Sequence, residues 1–182
     1  GQIATFNCNL ETTAPTYNRI FIGFTGVTLS GAGTNVHYQL YQISPSITGS
    51  YSFPASYSGD GVMTIYTSPF DPADPVANVV AYSDDGNPNS AFDPLIITDL
   101  DEGECYTIVA STYDNGSTGA YNFEVFGPAG ATLTDTGCNA FVGIQECVSE
   151  ISATPPSIDI SDPCACGNPL NILDATGEVT LF

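Results

Sequence analysis

"ECYTIVASTY", at residues 104–113, is the longest run of β-branched and aromatic residues in the chain. Residues of this kind fit a pleated, half-buried surface, so the run predicts a strand at the centre of a sheet. Gly, Asp and Asn cluster on both sides of it, in "DEG" at 101–103 and "DNGSTG" at 114–119. Because such clusters are typical of tight turns, antiparallel neighbours are expected at both ends of the strand.

Shorter runs of the same composition recur on both sides of this segment. They predict eight further strands, at 3–7, 19–29, 35–43, 49–55, 61–68, 77–83, 94–100 and 119–127. The 19–29 run could hold one strand or two, around its internal glycines. Strands at such short intervals, separated by turn sequences, predict an all-β protein built as an antiparallel β-sandwich.

The charge of the chain is strongly one-sided. The chain has twenty acidic residues but a single Lys or Arg, Arg19, and the formal net charge is −19. Nucleic acid is excluded as a partner because phosphate recognition needs Lys and Arg, and an anionic membrane surface is disfavoured for the same reason. The chain also has no apolar run of about 18 residues, so we expect no membrane insertion. Such a surface attracts cations.

The six cysteines predict disulfide bonds. They are Cys8, Cys105, Cys138, Cys147, Cys164 and Cys166. Zinc sites usually need Cys or His pairs at short spacings, and the chain has no Cys-x-x-Cys and a single histidine. Disulfides indicate an oxidising compartment, so we expect a secreted protein or one on the bacterial cell surface. No signal peptide is visible, and Gly1 is then expected to be a processed end.

The regular strand periodicity of the sequence ends near "GPAGA", at 127–131. This point divides the chain into a sandwich at 1–130 and a segment at 131–182. The second part carries four of the six cysteines and has little core of its own, so disulfides are expected to hold this small β segment. It could begin a second Ig-like domain or supply an inter-subunit strand. Pairing of Cys8 with Cys105 is the simplest arrangement in the sandwich, although six cysteines allow about fifteen connectivities.

The stretch "SDDGNPNSAFD", at 83–93, is the strongest candidate for a metal site. Asp85, Asn87 and Asn89 have the first three spacings of a calcium loop. Ser90 stands where an EF-hand needs Gly, and Ile96 stands where it needs Glu, so an EF-hand is excluded.

A calcium site of another kind, drawn from neighbouring turns, remains open. Its candidate ligands are Asp60, Asp71, Asp84, Asp85, Asn87 and Asn89. Calcium would relieve repulsion between acids that nothing else in the chain can neutralise. The alternative is a hairpin closed by Asx turns, with no metal.

Catalytic patterns are weak. His37 is the only imidazole, and it lies in a predicted strand without a Ser or Asp partner at a telling spacing. No G-x-S-x-G sequence is present. We therefore expect no catalytic residues and no enzyme, while a hydrolase based on two turn carboxylates stays open. Carbohydrate recognition also stays open, although the chain has no Trp.

Residues 35–127 carry a series of short motifs in a distinctive order. They are G-x-Y-x-F at 49–53, Tyr66 ahead of Phe70-Asp71-Pro72, Asn78 ahead of Asp84-Asp85, G-x-x-Y-x-I-V at 103–109 and G-x-Y-x-F at 119–123. This order resembles the bacterial pre-peptidase C-terminal domain and related modules of secreted proteins. The resemblance implies a jelly-roll-like sandwich without catalytic activity. "SDPCACGNPLN", at 161–171, resembles segments of Bacteroidetes surface proteins.

Both ends of the chain are predicted to be strands, at 2–6 and 177–182. The chain could be an excerpt of a longer protein, or a terminal strand could complete the sheet of a neighbour. We therefore expect a structural or adhesive extracellular protein that binds protein partners or self-assembles, for example as the repeating subunit of a filament. The alternative is an accessory module of a secreted peptidase or glycanase.

Overall fold

The computed structural model describes residues 1–134, 172–173 and 179–180. In this part of the chain all regular structure is β-strand, and the strand pairs are antiparallel. The all-β, antiparallel prediction is therefore confirmed. Across the described residues there is no helix long and apolar enough to span a membrane.

Fourteen strands are present in the described residues. Their bounds are Gln2–Leu10 (β1), Thr16–Tyr17 (β2), Ile20–Gly23 (β3), Gly26–Leu29 (β4), Val36–Pro45 (β5), Gly49–Tyr57 (β6), Gly61–Thr67 (β7), Val79–Ser83 (β8), Leu95–Leu100 (β9), Tyr106–Thr112 (β10), Gly119–Phe126 (β11), Leu133–Thr134 (β12), Ile172–Leu173 (β13) and Val179–Thr180 (β14). Each of the nine predicted runs overlaps at least one of them.

Two sheets make up the main body. The smaller has the order β1-β11-β6-β9, and the larger has the order β12-β5-β10-β7-β8 with β2 paired to β5. β10 lies in the middle of the larger sheet, between β5 and β7, which confirms the central position predicted for residues 104–113. All seven residues of β10 are buried, because both faces of this strand are covered.

The main core lies between the two sheets. Phe6 of β1 stacks on Phe123 of β11 with the ring centres 4.5 Å apart, and the edge of Tyr41 from the facing sheet meets both rings. The hydroxyl of Tyr121 donates to Oε1 of Gln39, so a buried polar bond also joins the sheets. This face-to-face packing gives the chain its sandwich-like form.

A second, smaller core covers the outer face of the larger sheet. The alternation within β5 turns Tyr41 and Ile43 toward the main core and Val36, Tyr38 and Leu40 toward this second one. Tyr17 and Phe70 close it, and both are buried. Strand β2, which carries Tyr17, and the loop that carries Phe70 therefore form a partial third layer.

The sandwich extends slightly past the boundary predicted at residue 130. Ala131 and Leu133 are buried in the main core, and β12 pairs with the end of β5. Near the C-terminus β13 pairs with β14, so Val179–Thr180 has a strand partner within its own chain. The rest of the predicted segment 131–182, with Cys138, Cys147, Cys164 and Cys166, lies outside the described residues.

Candidate binding surface

The strands β3 and β4 form a two-stranded hairpin, which we call the apolar hairpin (residues 20–29). Ile20 pairs with Leu29, Ile22 with Val27, and Gly23 with Gly26. The turn between them consists of Phe24 and Thr25. Gly26 follows it with φ +105°, a conformation that other residues rarely adopt, so a glycine is needed there to close the hairpin.

The apolar hairpin exposes large apolar side chains on both faces. Directly paired residues share a face, so Ile22, Val27 and Leu29 form one exposed stripe, while Phe21 lies on the opposite face. Phe24 at the tip is fully exposed. Among the described residues eight large apolar side chains are exposed, and five of them belong to this hairpin. Such a concentration is typical of a contact surface.

Arg19 anchors the base of the apolar hairpin. Its backbone N–H donates to Gly33 O at 2.9 Å, and its backbone carbonyl accepts from Ser30 N at 2.8 Å. The side chain is 1 % exposed, and Nη1 donates to Ile20 O at 3.3 Å. A Cβ on Gly33 would lie 2.3 Å from Nε of Arg19, so the guanidinium needs glycine there. The only Lys or Arg side chain of the sequence is therefore buried and hydrogen-bonded within the protein.

Acidic residues lie around this base. Arg19 donates to the hydroxyl of Tyr82 at 3.2 Å, and that hydroxyl donates to Oδ2 of Asp84 at 3.3 Å. Asp84 and Asp85 belong to the loop between β8 and β9, whereas Asp60 belongs to the turn between β6 and β7. The fold therefore brings acids from separate loops to one end of the sandwich.

Asp60 is the most constrained of these acids. Its Oδ1 atom is buried and has no hydrogen-bond partner among the described residues. Burial raises the pKa of the Asp60 carboxyl above its ordinary value, and the negative charges of Asp85, Asp114 and Asp84 raise it further. The charge of Arg19 opposes this shift. Asp60 therefore carries an unfavourable charge near neutral pH.

The predicted calcium ligands are brought together only in part. Asp60, Asp84 and Asp85 are close enough to interact electrostatically. Asn87 Oδ1 accepts from the backbone N–H of Asn89 at 3.1 Å, and its Nδ2 donates to Ala55 O at 3.0 Å. The first bond forms an Asx turn and the second is a contact with β6, so the protein engages both ends of the Asn87 amide.

Asp71 lies in a different turn, between β7 and β8. Its Oδ1 atom accepts from the backbone N–H of Ala73 at 2.8 Å, which is another Asx turn. Burial, and after it the charge of Asp71, raises the pKa of Tyr38, so Asp71 lies within electrostatic range of a residue of the second core. Within the described ranges, no group of three or more His, Cys, Asp or Glu side chains is arranged to hold a metal ion.

His37 fastens one chain segment to another. Its Nδ1 atom is 2.8 Å from Ala14 O, in the segment that leads into β2. Thr16 of β2 pairs directly with His37, so the imidazole helps to fasten this segment to β5. Cys8 lies in β1 and Cys105 immediately precedes β10.

The sequence indicated strands at 19–29 but not their exposure. Apolar residues on both faces of a strand usually indicate that both faces are buried, and residues 20–22 are all apolar. The two glycines, which could have marked a free-standing turn, are the one signal of a separate hairpin. Asp114 was likewise not predicted to join the other acids, because its position depends on the topology.

Comparison with known proteins adds no relative. No family model, no curated protein and no solved structure matches the chain.

Proposed function

We propose that this chain is a non-catalytic structural or adhesive module of a secreted or surface-displayed bacterial protein, and that it works by protein–protein contact. The observation that carries the proposal is the apolar hairpin. A large apolar surface on an otherwise highly charged molecule is costly in water unless it is covered by a partner.

The jelly-roll-like topology and the kinship with pre-peptidase C-terminal domains are part of this proposal. Their support is the motif order over residues 35–127 together with the two antiparallel sheets. Modules of that kind serve multidomain extracellular proteins, where binding and assembly are the usual roles. Strand exchange between subunits is one form that such assembly would take.

The extracellular location is supported by the cysteines. Six cysteines, Cys8 and Cys105 among them, in a chain without zinc-type Cys or His spacings favour disulfide bonds. Disulfides persist in secreted and surface proteins and are rare in the cytosol. The proposal extends this framework to the remaining cysteines, which would hold the segment 131–182.

Calcium at the acidic loops is a further part of the proposal. Asp60, Asp84 and Asp85 repel one another, and a divalent cation would remove that repulsion. With two side chains of the predicted set, Asn87 and Asp71, engaged in Asx turns, water would have to supply several of the remaining ligands.

Electron microscopy of the native material, combined with light scattering of the purified chain, tests the proposed function. Filaments, end-to-end contacts or a stable complex with another surface protein are the expected results. A chain that stays monomeric and is found joined to a peptidase or glycanase domain would instead identify an accessory module. Hydrolysis of peptide or glycan by the chain itself would contradict the proposal outright.

A further inference from the structure

We infer that the apolar hairpin docks into an apolar cleft with a basic rim on a different protein, and that the partner adds a strand to an open edge of the hairpin. This inference rests on the proposed function and names the chemistry of the partner. It combines three features of the described residues, which are the exposed stripe, the acids at its base and the unpaired strand edges.

The stripe defines the apolar part of the interface. Ile22, Val27 and Leu29 lie side by side on one face, and Phe24 extends beyond them at the tip. Ile20, the fourth residue of this face, is completely buried, so the stripe begins at the surface of the main body. A cleft that accepts this stripe would enclose a ribbon two strands wide.

The acids define the rim. Asp84 is connected to Arg19 at the base through the Tyr82 hydroxyl, and Asp60 is within electrostatic range of both. The residues of the hairpin itself carry no charge. A partner that covers the stripe down to its base therefore meets negative charge, and Lys or Arg at that position would be favoured.

The strand edges favour a protein over a lipid surface. Among the described strands, β3 and β4 pair only with each other, so each has an outer edge whose backbone groups are not used in a sheet. Apart from the carbonyl of Ile20, which accepts from Arg19, these N–H and C=O groups would have no partner in a bilayer, at a cost of several kcal/mol each. An added strand would satisfy them.

The charge also disfavours a second copy of this chain as the partner. Every copy has a net charge of −19, and its only cationic side chain, Arg19, is 1 % exposed. A second copy would therefore bring acids, and no accessible Lys or Arg, to the base of the hairpin. Repulsion at close range opposes such a contact, most strongly at low salt.

Two synthetic strand peptides of equal length are suitable probes, one alternating Val with Lys and the other alternating Val with Glu. Fluorescence anisotropy of each labelled peptide is measured against the intact chain. Binding of the Val–Lys peptide, weakened by added salt, and no binding of the Val–Glu peptide are expected. The double variant Ile22→Thr and Val27→Thr should bind the Val–Lys peptide at least about tenfold more weakly.

Matched variants distinguish binding of the Val–Lys peptide at the apolar hairpin from attraction of the peptide to the overall negative charge. Ile97→Thr removes an exposed apolar side chain of β9, and Val76→Thr removes an exposed apolar side chain of the turn between β7 and β8. Both should bind the Val–Lys peptide as the unchanged chain does, whereas Phe24→Ser should weaken binding. Circular dichroism confirms that each variant is folded.

Three results would overturn the inference. The first is equal binding of the Val–Lys peptide by the double variant, which would show attraction to net charge alone. The second is a dimer that the hairpin variants abolish, which would identify a second copy as the occupant. The third is hairpin-dependent binding to phosphatidylcholine vesicles without binding to the peptide. A dimer or filament would still support the proposed function. Failure of this inference is therefore distinguishable from failure of the proposed function.

Discussion

The guanidinium carbon of Arg19 lies 4.1 Å from the centre of the Tyr113 ring, and Nε of the same side chain donates to the Tyr113 carbonyl at 3.1 Å. Arg19 immediately precedes the apolar hairpin, and Tyr113 immediately follows the central strand β10. This contact therefore ties an exposed hairpin to a strand whose residues are all buried.

Replacement of Arg19 should destabilise the protein. The variant Arg19→Met keeps much of the apolar stem but leaves the carbonyls of Ile20 and Tyr113 without their donor, so we expect a loss of about 2–4 kcal/mol in the free energy of unfolding. Arg19→Lys should lose less, because an ammonium group replaces only some of these bonds. Urea unfolding measures both, and a change below about 0.5 kcal/mol for Arg19→Met would contradict this role.

Alkaline pH should weaken the fold through Tyr17. Burial raises the pKa of this phenol to about 12, although a hydrogen bond with Ser111 acts in the opposite direction. The folded state thus favours neutral Tyr17, whose contribution is complete below about pH 10 and is lost as the pH rises toward 12. The loss should reach about 3 kcal/mol for this residue.

The variant Tyr17→Phe provides the comparison. It should lose less stability than the unchanged chain between about pH 10 and pH 12, in urea unfolding followed by circular dichroism. Some loss will remain, since burial also raises the pKa values of Tyr57, Tyr66 and Tyr82. Identical pH profiles for the two proteins would contradict the assignment to Tyr17.

Removal of the charge at Asp60 should stabilise the protein near neutral pH. The folded-state pKa of Asp60 is raised, so its contribution is favourable below the unfolded value of about 4 and is lost as the pH rises. Asp60→Asn should therefore have a higher melting temperature near neutral pH and little advantage in acid. The matched variant Asp99→Asn, on the exposed side of β9, should not show this pH-dependent gain.

Calcium should act at the same residue if the acidic loops bind it. We expect calcium chloride to raise the melting temperature of the unchanged chain and EDTA to lower it. The effect should be much reduced in Asp60→Asn, where the repulsion that calcium relieves has already been removed. If neither calcium nor EDTA shifts the melting temperature, the calcium proposal is withdrawn.

The disulfide map should not include a bond between Cys8 and Cys105. Cys8 pairs with Tyr121, whose hydroxyl donates to Gln39. Gln39 pairs with Ala110, five residues along the chain from Cys105, or about 16 Å at the usual strand rise. A disulfide spans at most about 7 Å between Cα atoms, so we predict that Cys8 and Cys105 are not joined to each other.

Each of these two cysteines is instead expected to be joined to a cysteine of the segment 131–182. The possible partners are Cys138, Cys147, Cys164 and Cys166. Digestion with an acid protease under non-reducing conditions, followed by mass spectrometry, identifies the linked peptides. A peptide pair that joins Cys8 directly to Cys105 would refute this expectation.

The positions of the main strands could be predicted because their pattern is local. The alternation at 35–43 placed Val36, Tyr38 and Leu40 on one face, and these residues do face the second core together. The composition of 104–113 was likewise sufficient to place β10 at the centre, since a strand without exposed positions must be covered on both faces.

Other features depend on contacts that no local pattern reports. The strands β2 and β12 contain two residues each, and they exist only because β5 offers them an edge. The second core needs Phe70, which lies in a loop and was not predicted to be buried. The acids converge on Arg19 because separate loops end at the same side of the sandwich.

The burial of Arg19 has a consequence for proteolysis. Trypsin-like enzymes cut after Lys or Arg, so the sequence of 182 residues offers them one peptide bond, between Arg19 and Ile20. Both side chains are at most 1 % exposed, and the Arg19 backbone is held on both sides by Gly33 and Ser30. Digestion must therefore wait until the root of the hairpin opens, and the rate of this single cut reports how often that local unfolding occurs.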